Sequence, residues 1–494
     1  MATTRDASAA QAAPGAVRGH GIETRSIDYV PAAERHGRLT DQATIWFAGS
    51  AQLLSLSTGA IGVWLGLNLF WTLAALAAGT ILGTIPVAAH ASQGPHLGLP
   101  QMVQSRPQFG RYGTLFIWLV AIAVYWGYVV FGVNTLGAVT ADLGAGHGRV
   151  WMVVLGAVGA LFALYGYDLL HIGQRVVSIG LIAALAVFTV GSVVGGHIPA
   201  GQFAAQGTFR PTEFFVVVSA SAVYQLSWAF FVSDYSRYMP AATSHRSIIA
   251  YTALGAGVGV YWMESLGAIA VAIFPHSTDL IATLHRASDQ ILPGLGVVVV
   301  VLGAAGLLLL NAMCIYGGSL TLISAADSIR PTRPDRRIRV VTILLIAVSA
   351  TAVGILIPAD FLAGTFTTVL AVLGYLMAPW TAINLVDYFL VRRGKYSVRE
   401  IFNPAGIYGR WNWRGLTAYW VSFAAMVPFM YLSFFHGFAA GRLGGVDIAF
   451  FVGIPVGALV YWVLCRSLDV RREWDIIAAA DSDLDLDARA EVVA

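Results

Sequence analysis

Between Ala43 and Ser105 the chain runs for 63 residues without one Asp, Glu, Lys or Arg. A helix in water needs a solvated face, and this stretch offers none. A bilayer span takes roughly 20 apolar residues, so the run alone holds at least two. Composition agrees over the whole length. Of the 494 residues 57% are apolar and 11% charged, against about 25% charged in soluble proteins. A soluble enzyme and a nucleic-acid-binding domain are excluded, and the chain reads as an all-α polytopic membrane protein.

Windows of about 19 residues predict twelve spans, near 43–67, 69–91, 112–139, 150–166, 176–194, 212–232, 249–274, 294–323, 338–357, 364–391, 416–436 and 447–465. They divide the chain into an N-terminal tail 1–42, a transmembrane domain 43–466 and an acidic tail 467–494 that reads as disordered. With the N-terminus inside, Lys and Arg split 25 to 4 between inner and outer segments, as the positive-inside rule demands. Both termini are therefore expected in the cytoplasm of a plasma-membrane protein. Met1–Arg38 lacks the apolar stretch of a signal peptide, so the first span is expected to direct insertion. Neither tail has room for a nucleotide-binding domain, which argues against direct ATP drive. Cys314 and Cys465 lie far apart in apolar segments and indicate no disulfide. Without a His-Glu-x-x-His or Gly-x-Ser-x-Gly pattern, neither an enzyme nor a cofactor is expected.

Inside a bilayer, polar side chains are costly and mark sites. Three spans carry them in clusters. The first has Gln52, Ser55, Ser57 and Gly59; the sixth runs from Ser219 to Trp228 through Tyr224, Gln225 and Ser227; the eighth runs from Asn311 to Ser319. Helices unwound at the midplane free backbone groups for a solute, and two of them in corresponding halves point to a transporter. Spans one and six are five apart, as a five-helix repeat inverted on itself requires. Close helix packing explains the small residues equally well, whereas the amides of Gln225 and Asn311 need partners. Trp228 and Tyr224 lie deep beside polar residues, where they can stack on a flat solute. Most other Trp and Tyr fit interfacial belts. Glu264 is an acid in mid-span, either a proton carrier or ion ligand, or a protonated acid bonded to a neighbouring helix.

After the second span the loop reads Gly94-Pro95-His96-Leu97-Gly98-Leu99-Pro100-Gln101-Met102, then Ser105-Arg106-Pro107-Gln108-Phe109-Gly110. Ser233-Asp234-Tyr235-Ser236-Arg237-Tyr238-Met239-Pro240 follows the sixth span. Asp387-Tyr388-Phe389 with Arg392-Arg393-Gly394-Lys395-Tyr396, and Asn412-Trp413-Arg414-Gly415-Leu416, come later. In these motifs, in order along 28–466, the chain resembles the nucleobase–cation symporter family, nearest its purine/cytosine permease branch.

The resemblance implies a leucine-transporter-type fold: a 5+5 inverted repeat followed by two C-terminal helices. It implies an ion-coupled secondary active transporter. A small planar heterocyclic substrate, such as cytosine or a purine, would lie between spans one, three, six and eight. Gln225, Trp228, Asn134, Tyr224, Asn311 and Ser55 would be its contacts. Asn134 matches the family's span-three amide, but the aromatic position four residues earlier falls on Val130, and the second span-eight amide falls on Cys314. These departures keep an allantoin, hydantoin or vitamin-precursor carrier open. A channel or membrane sensor on the same scaffold is the alternative of another class. For coupling, the family's span-eight hydroxyl positions fall on Gly306 and Leu308–Leu310, leaving carbonyls, Ser55 and Asn311 for a cation. Glu264 supplies a titratable group, so H+ is expected over Na+. Beyond substrate and lipid bilayer, no protein or nucleic-acid partner is indicated.

Overall fold

The computed structural model describes residues 28–165, 167–204, 209–277, 279–330, 336–357 and 366–481. Among them nine helices are long and apolar enough to cross a membrane: Leu69–Leu97, Thr114–Asp142, Gly148–Tyr165, Val176–Val194, Pro211–Phe230, His245–Ile273, Leu295–Ile329, Arg336–Leu356 and Thr368–Val391. They coincide with the second to tenth predicted spans. Ile81 and Ile85, 62% and 63% exposed, belong to an outer apolar surface suited to lipid tails.

The remaining predicted spans are shorter or broken. The first is two helices, Leu39–Ser50 and Leu53–Trp64. The eleventh, expected to reach 436, ends as a helix at Met426. A 3-10 turn, Val427–Phe429, follows, in which Pro428 has no N–H to continue an α-helix. A two-stranded hairpin then pairs Tyr431–Leu432 with Phe435–His436. The twelfth is Ala449–Cys465. The eighth span is one continuous helix of 35 residues despite its polar stretch.

Packing sorts the first nine spans into two groups, while spans ten, eleven and twelve pack on one another. Spans one, two, six and seven pack on one another; spans three, four, eight and nine form a second group that the fifth joins through the eighth. Within a bilayer, helices gain little from burying apolar surface against each other, so close backbone contact matters. Spans one and seven achieve it reciprocally. A Cβ on Gly59 would overlap the Glu264 carbonyl, and one on Gly267 would overlap the Leu56 carbonyl.

The acidic tail is not disordered where the structure describes it. Val470–Ala480 is a helix, bent by 79° from the twelfth span. Its acids find buried partners: Glu473 accepts two hydrogen bonds from Arg392, at 2.8 and 3.1 Å. Asp481 accepts from the backbone N–H groups of Val398 and Arg399 and from the Ser397 hydroxyl. Residues 482–494 of the tail, and 1–27 at the other end, lie outside the described residues.

Candidate solute site at the helix breaks

Two residues interrupt the first span. Ala51 and Gln52 leave helical geometry (Gln52 φ −162°, ψ 165°), and the Gln52 Oε1 atom caps the next helix by accepting from the Leu54 N–H at 2.6 Å. Its Nε2 group donates to the Tyr224 hydroxyl at 2.7 Å and to Ser55 Oγ at 3.0 Å. Ser55 Oγ donates to the Ser50 carbonyl and lies 2.7 Å from the same Tyr224 hydroxyl. The break of span one is thereby tied to span six.

Span six is broken at the corresponding place. Its α-helix ends at Leu226, a 3-10 turn covers Ser227–Phe230, and a short helix Val232–Ser236 follows Phe231. Ser227 Oγ donates to the Tyr224 carbonyl at 2.7 Å and shares a hydrogen bond with the hydroxyl of Tyr128, from span three. Trp228 is 4% exposed. Its ring lies 5.4 Å from Trp46 and 6.1 Å from each of Tyr224 and Phe231. Asn311 of span eight packs opposite Gly132 of span three, where any Cβ would collide with its amide. Its buried Oδ1 has no hydrogen-bond partner among the described residues. A capping amide, four hydroxyls, an unpartnered amide oxygen and an aromatic wall therefore surround the two breaks. Such a set can bind a flat polar ring by its edge and its face.

The structure brings Ser55, Tyr224 and Trp228 together and places Asn311 on the facing helix. Two expected contacts donate to neighbouring helices, although the buried Gln225 Oε1 has no hydrogen-bond partner among the described residues. Asn134 donates from Nδ2 to the carbonyls of Gly354 and Ile357, both at 3.3 Å, and so joins span three to span nine. Gln225 donates to Thr84 Oγ1 of span two at 3.0 Å. Successive helical side chains point about 100° apart, so with Tyr224 facing the break Gln225 faces span two. The expected register on span three is also displaced. Tyr128 and Gly132, four residues apart, face spans six and eight, where Val130 and Asn134 were expected. Gln52, Tyr128, Ser227 and Trp46 complete the site without having been assigned to it; the polarity of Gln52 within a charge-free span was its one signal.

Glu264 lies outside this shell. Fully buried, it accepts from Ser221 at 2.6 Å and Thr80 at 3.3 Å through Oε2, between spans two, six and seven. Its Oε1 has no hydrogen-bond partner among the described residues. At the break itself the Ala48 carbonyl accepts from Gln174 at 3.0 Å and Ser178 at 3.2 Å, both of span five. Gly306 of span eight faces the Ala51 carbonyl, where a Cβ would stand 2.9 Å away.

A narrow cleft lined by Tyr125, Phe231, Cys314 and Tyr316 lies beside the site between spans three, six and eight. It lies toward the end of the molecule where the sequence motifs meet. There Asp234 accepts from the Gln101 N–H at 2.8 Å, while Ser233 and Ser236 donate to the carbonyls of His90 and Ala91. Asp387 gathers Gln108, Tyr396, Tyr461 and Arg392 at the same end. The shared motifs are thus a latch between loops and spans.

Residues 29–453 match the family described as permeases for cytosine/purines, uracil, thiamine and allantoin. The chain belongs to that family. Among this permease's relatives, the "Putative purine-cytosine permease YxlA" of Bacillus subtilis is 33% identical over 452 residues, covering 90% of this chain and 96% of that one. The purine-cytosine permease FCY2 of Saccharomyces cerevisiae is 24% identical, covering 91% and 86%. Mhp1 in its inward-facing conformation superposes with a TM-score of 0.71 at 19% identity, covering 94% of this chain and 98% of that one. That likeness establishes the leucine-transporter-type fold of the permease. The protein is a multi-pass membrane transporter, not an enzyme.

Proposed function

We propose that the permease imports a nucleobase such as cytosine or a purine across the plasma membrane by proton symport, with both termini in the cytoplasm. The observation that carries this reading is Trp228, set at the break of span six beside the Gln52–Ser55–Tyr224 hydrogen bonds. The ring face meets an aromatic wall and its edge meets amide and hydroxyl groups, while the two helix groups rock around that point. Relatives named as purine-cytosine permeases support the substrate class. Proton coupling is supported by buried Glu264 and by protein donors that already serve the Ala48 carbonyl, leaving a poor oxygen cage for sodium.

Uptake of radiolabelled cytosine, challenged with purines, pyrimidines, hydantoin and allantoin, tests the reading. Competition by nucleobases supports it. Preference for hydantoin or allantoin favours the second reading, for which the 25% identical hydantoin permease of Microbacterium maritypicum speaks. No competition by any of them contradicts both.

A further inference from the structure

We propose that Trp380 of span ten is a positioning residue for the solute site, setting the rotation of the span-six turn that presents Trp228. This rests on the reading of Trp228 as the surface on which a nucleobase stacks. Span ten gives no group to the site itself, yet the fully buried Trp380 has both its ring and its N–H engaged around it. Its ring lies 4.6 Å from that of Phe230, the last residue of the 3-10 turn Ser227–Phe230. The ring of His90, from span two, lies 4.7 Å away and within 4° of parallel. Its Nε1 group donates to Ser105 Oγ at 2.9 Å.

Successive side chains of a 3-10 turn point about 120° apart, so Phe230 and Trp228 leave the turn on different sides. Trp228 meets Trp46, Tyr224 and Phe231 at the breaks, while Phe230 is held from span ten. Rotation of the turn about its axis would carry both rings with it, and the seat of Phe230 on Trp380 opposes that rotation. The seat is itself fixed. Phe230, Trp380, His90 and Ser105 are all fully buried. Ser105 precedes Arg106, which donates to Asp327 of span eight at 2.9 Å. The same loop holds Asp234 through the Gln101 N–H. Trp380 therefore ties the turn under Trp228 to the loop that bonds to both helix groups.

Equilibrium binding of radiolabelled cytosine and adenine to the purified permease tests this, with a double variant that separates positioning from general packing. Trp380→Leu is expected to weaken binding about tenfold, the size of one lost base–aromatic contact. Trp380→Phe, which keeps a ring against Phe230 and His90, is expected to bind as wild type. In the Trp228→Ala background Trp380→Leu is expected to cost nothing further, because the ring it positions is gone. Phe230→Leu removes the same contact from the other side, and replaces Trp380→Leu if that protein does not accumulate. Wild-type affinity in Trp380→Leu, a phenylalanine variant as weak as the leucine one, or losses that multiply in the double variant overturn the positioning role while leaving nucleobase transport in place. Wild-type affinity in Trp228→Ala, or a wild-type protein that binds no nucleobase, overturns the underlying reading and the positioning role together.

Discussion

Ser221 donates a 2.6 Å hydrogen bond to the carboxylate of Glu264, three residues before Tyr224 on the same helix. Tyr224 in turn holds Ser55 and Gln52 at the break of span one. One turn of span six therefore bonds both to a buried acid of span seven, through Ser221, and to the candidate solute site, through Tyr224. On the proposed proton symport, a change in the charge of Glu264 would alter its bond to Ser221, one turn from Tyr224.

If this turn couples the proton, uptake falls as external pH rises, because fewer carriers load a proton, and Glu264→Gln removes that dependence. Initial uptake rates across a pH series at fixed membrane potential measure it. A Glu264→Gln profile parallel to wild type would leave the acid a structural role only.

Trp228→Ala should weaken solute binding by about 1–3 kcal/mol, the scale of base–aromatic stacking. Isothermal titration on purified protein reads it, and expression should be little changed. Equal affinity would reduce Trp228 to a packing residue against Trp46 and Gly49.

Tyr224→Phe removes the hydroxyl shared by Gln52 and Ser55 and leaves a buried donor unpaired, at a cost of about 1–3 kcal/mol. Because the loss falls at the breaks, the rank order of competing heterocycles should change with it. Gln225→Leu and Asn134→Leu should lower thermal stability but keep the parent ranking, since both amides bond to neighbouring helices. A changed ranking in either leucine variant would place that amide at the solute.

Glu473→Gln breaks the charged bonds that tie the C-terminal helix to Arg392, and hydrogen bonds to charged groups contribute about 1.5–3 kcal/mol. The melting temperature in detergent should fall, and limited proteolysis should release the helix first. Wild-type melting and cleavage patterns would show that Asp387 alone satisfies Arg392.

Much of the fold was legible because its signals are local. A charge-free run of 63 residues has one physical explanation, and polar clusters at Gln52–Gly59 and Ser219–Trp228 mark where two helices come apart. Facing was less legible. Polarity identifies Asn134 and Gln225 as needing partners, yet one helical step decides whether the partner is a solute or a neighbouring carbonyl. Only the packing of span three fixes that Tyr128 and Gly132 look inward. The helix Val470–Ala480 was hidden for another reason. Its acids look solvated in sequence, while their partners, Arg392 and the N–H groups of 398–399, lie some 80 residues away.

The most direct measurement is accumulation of labelled cytosine and adenine in proteoliposomes holding the purified permease, with a proton gradient imposed and sodium absent. The account predicts concentrative uptake that collapses with a protonophore, persists in choline buffer, and is strongly reduced at low substrate by Trp228→Ala. Uptake that requires sodium and ignores the proton gradient would contradict the proposed coupling. No accumulation of any nucleobase under either gradient would contradict the account itself.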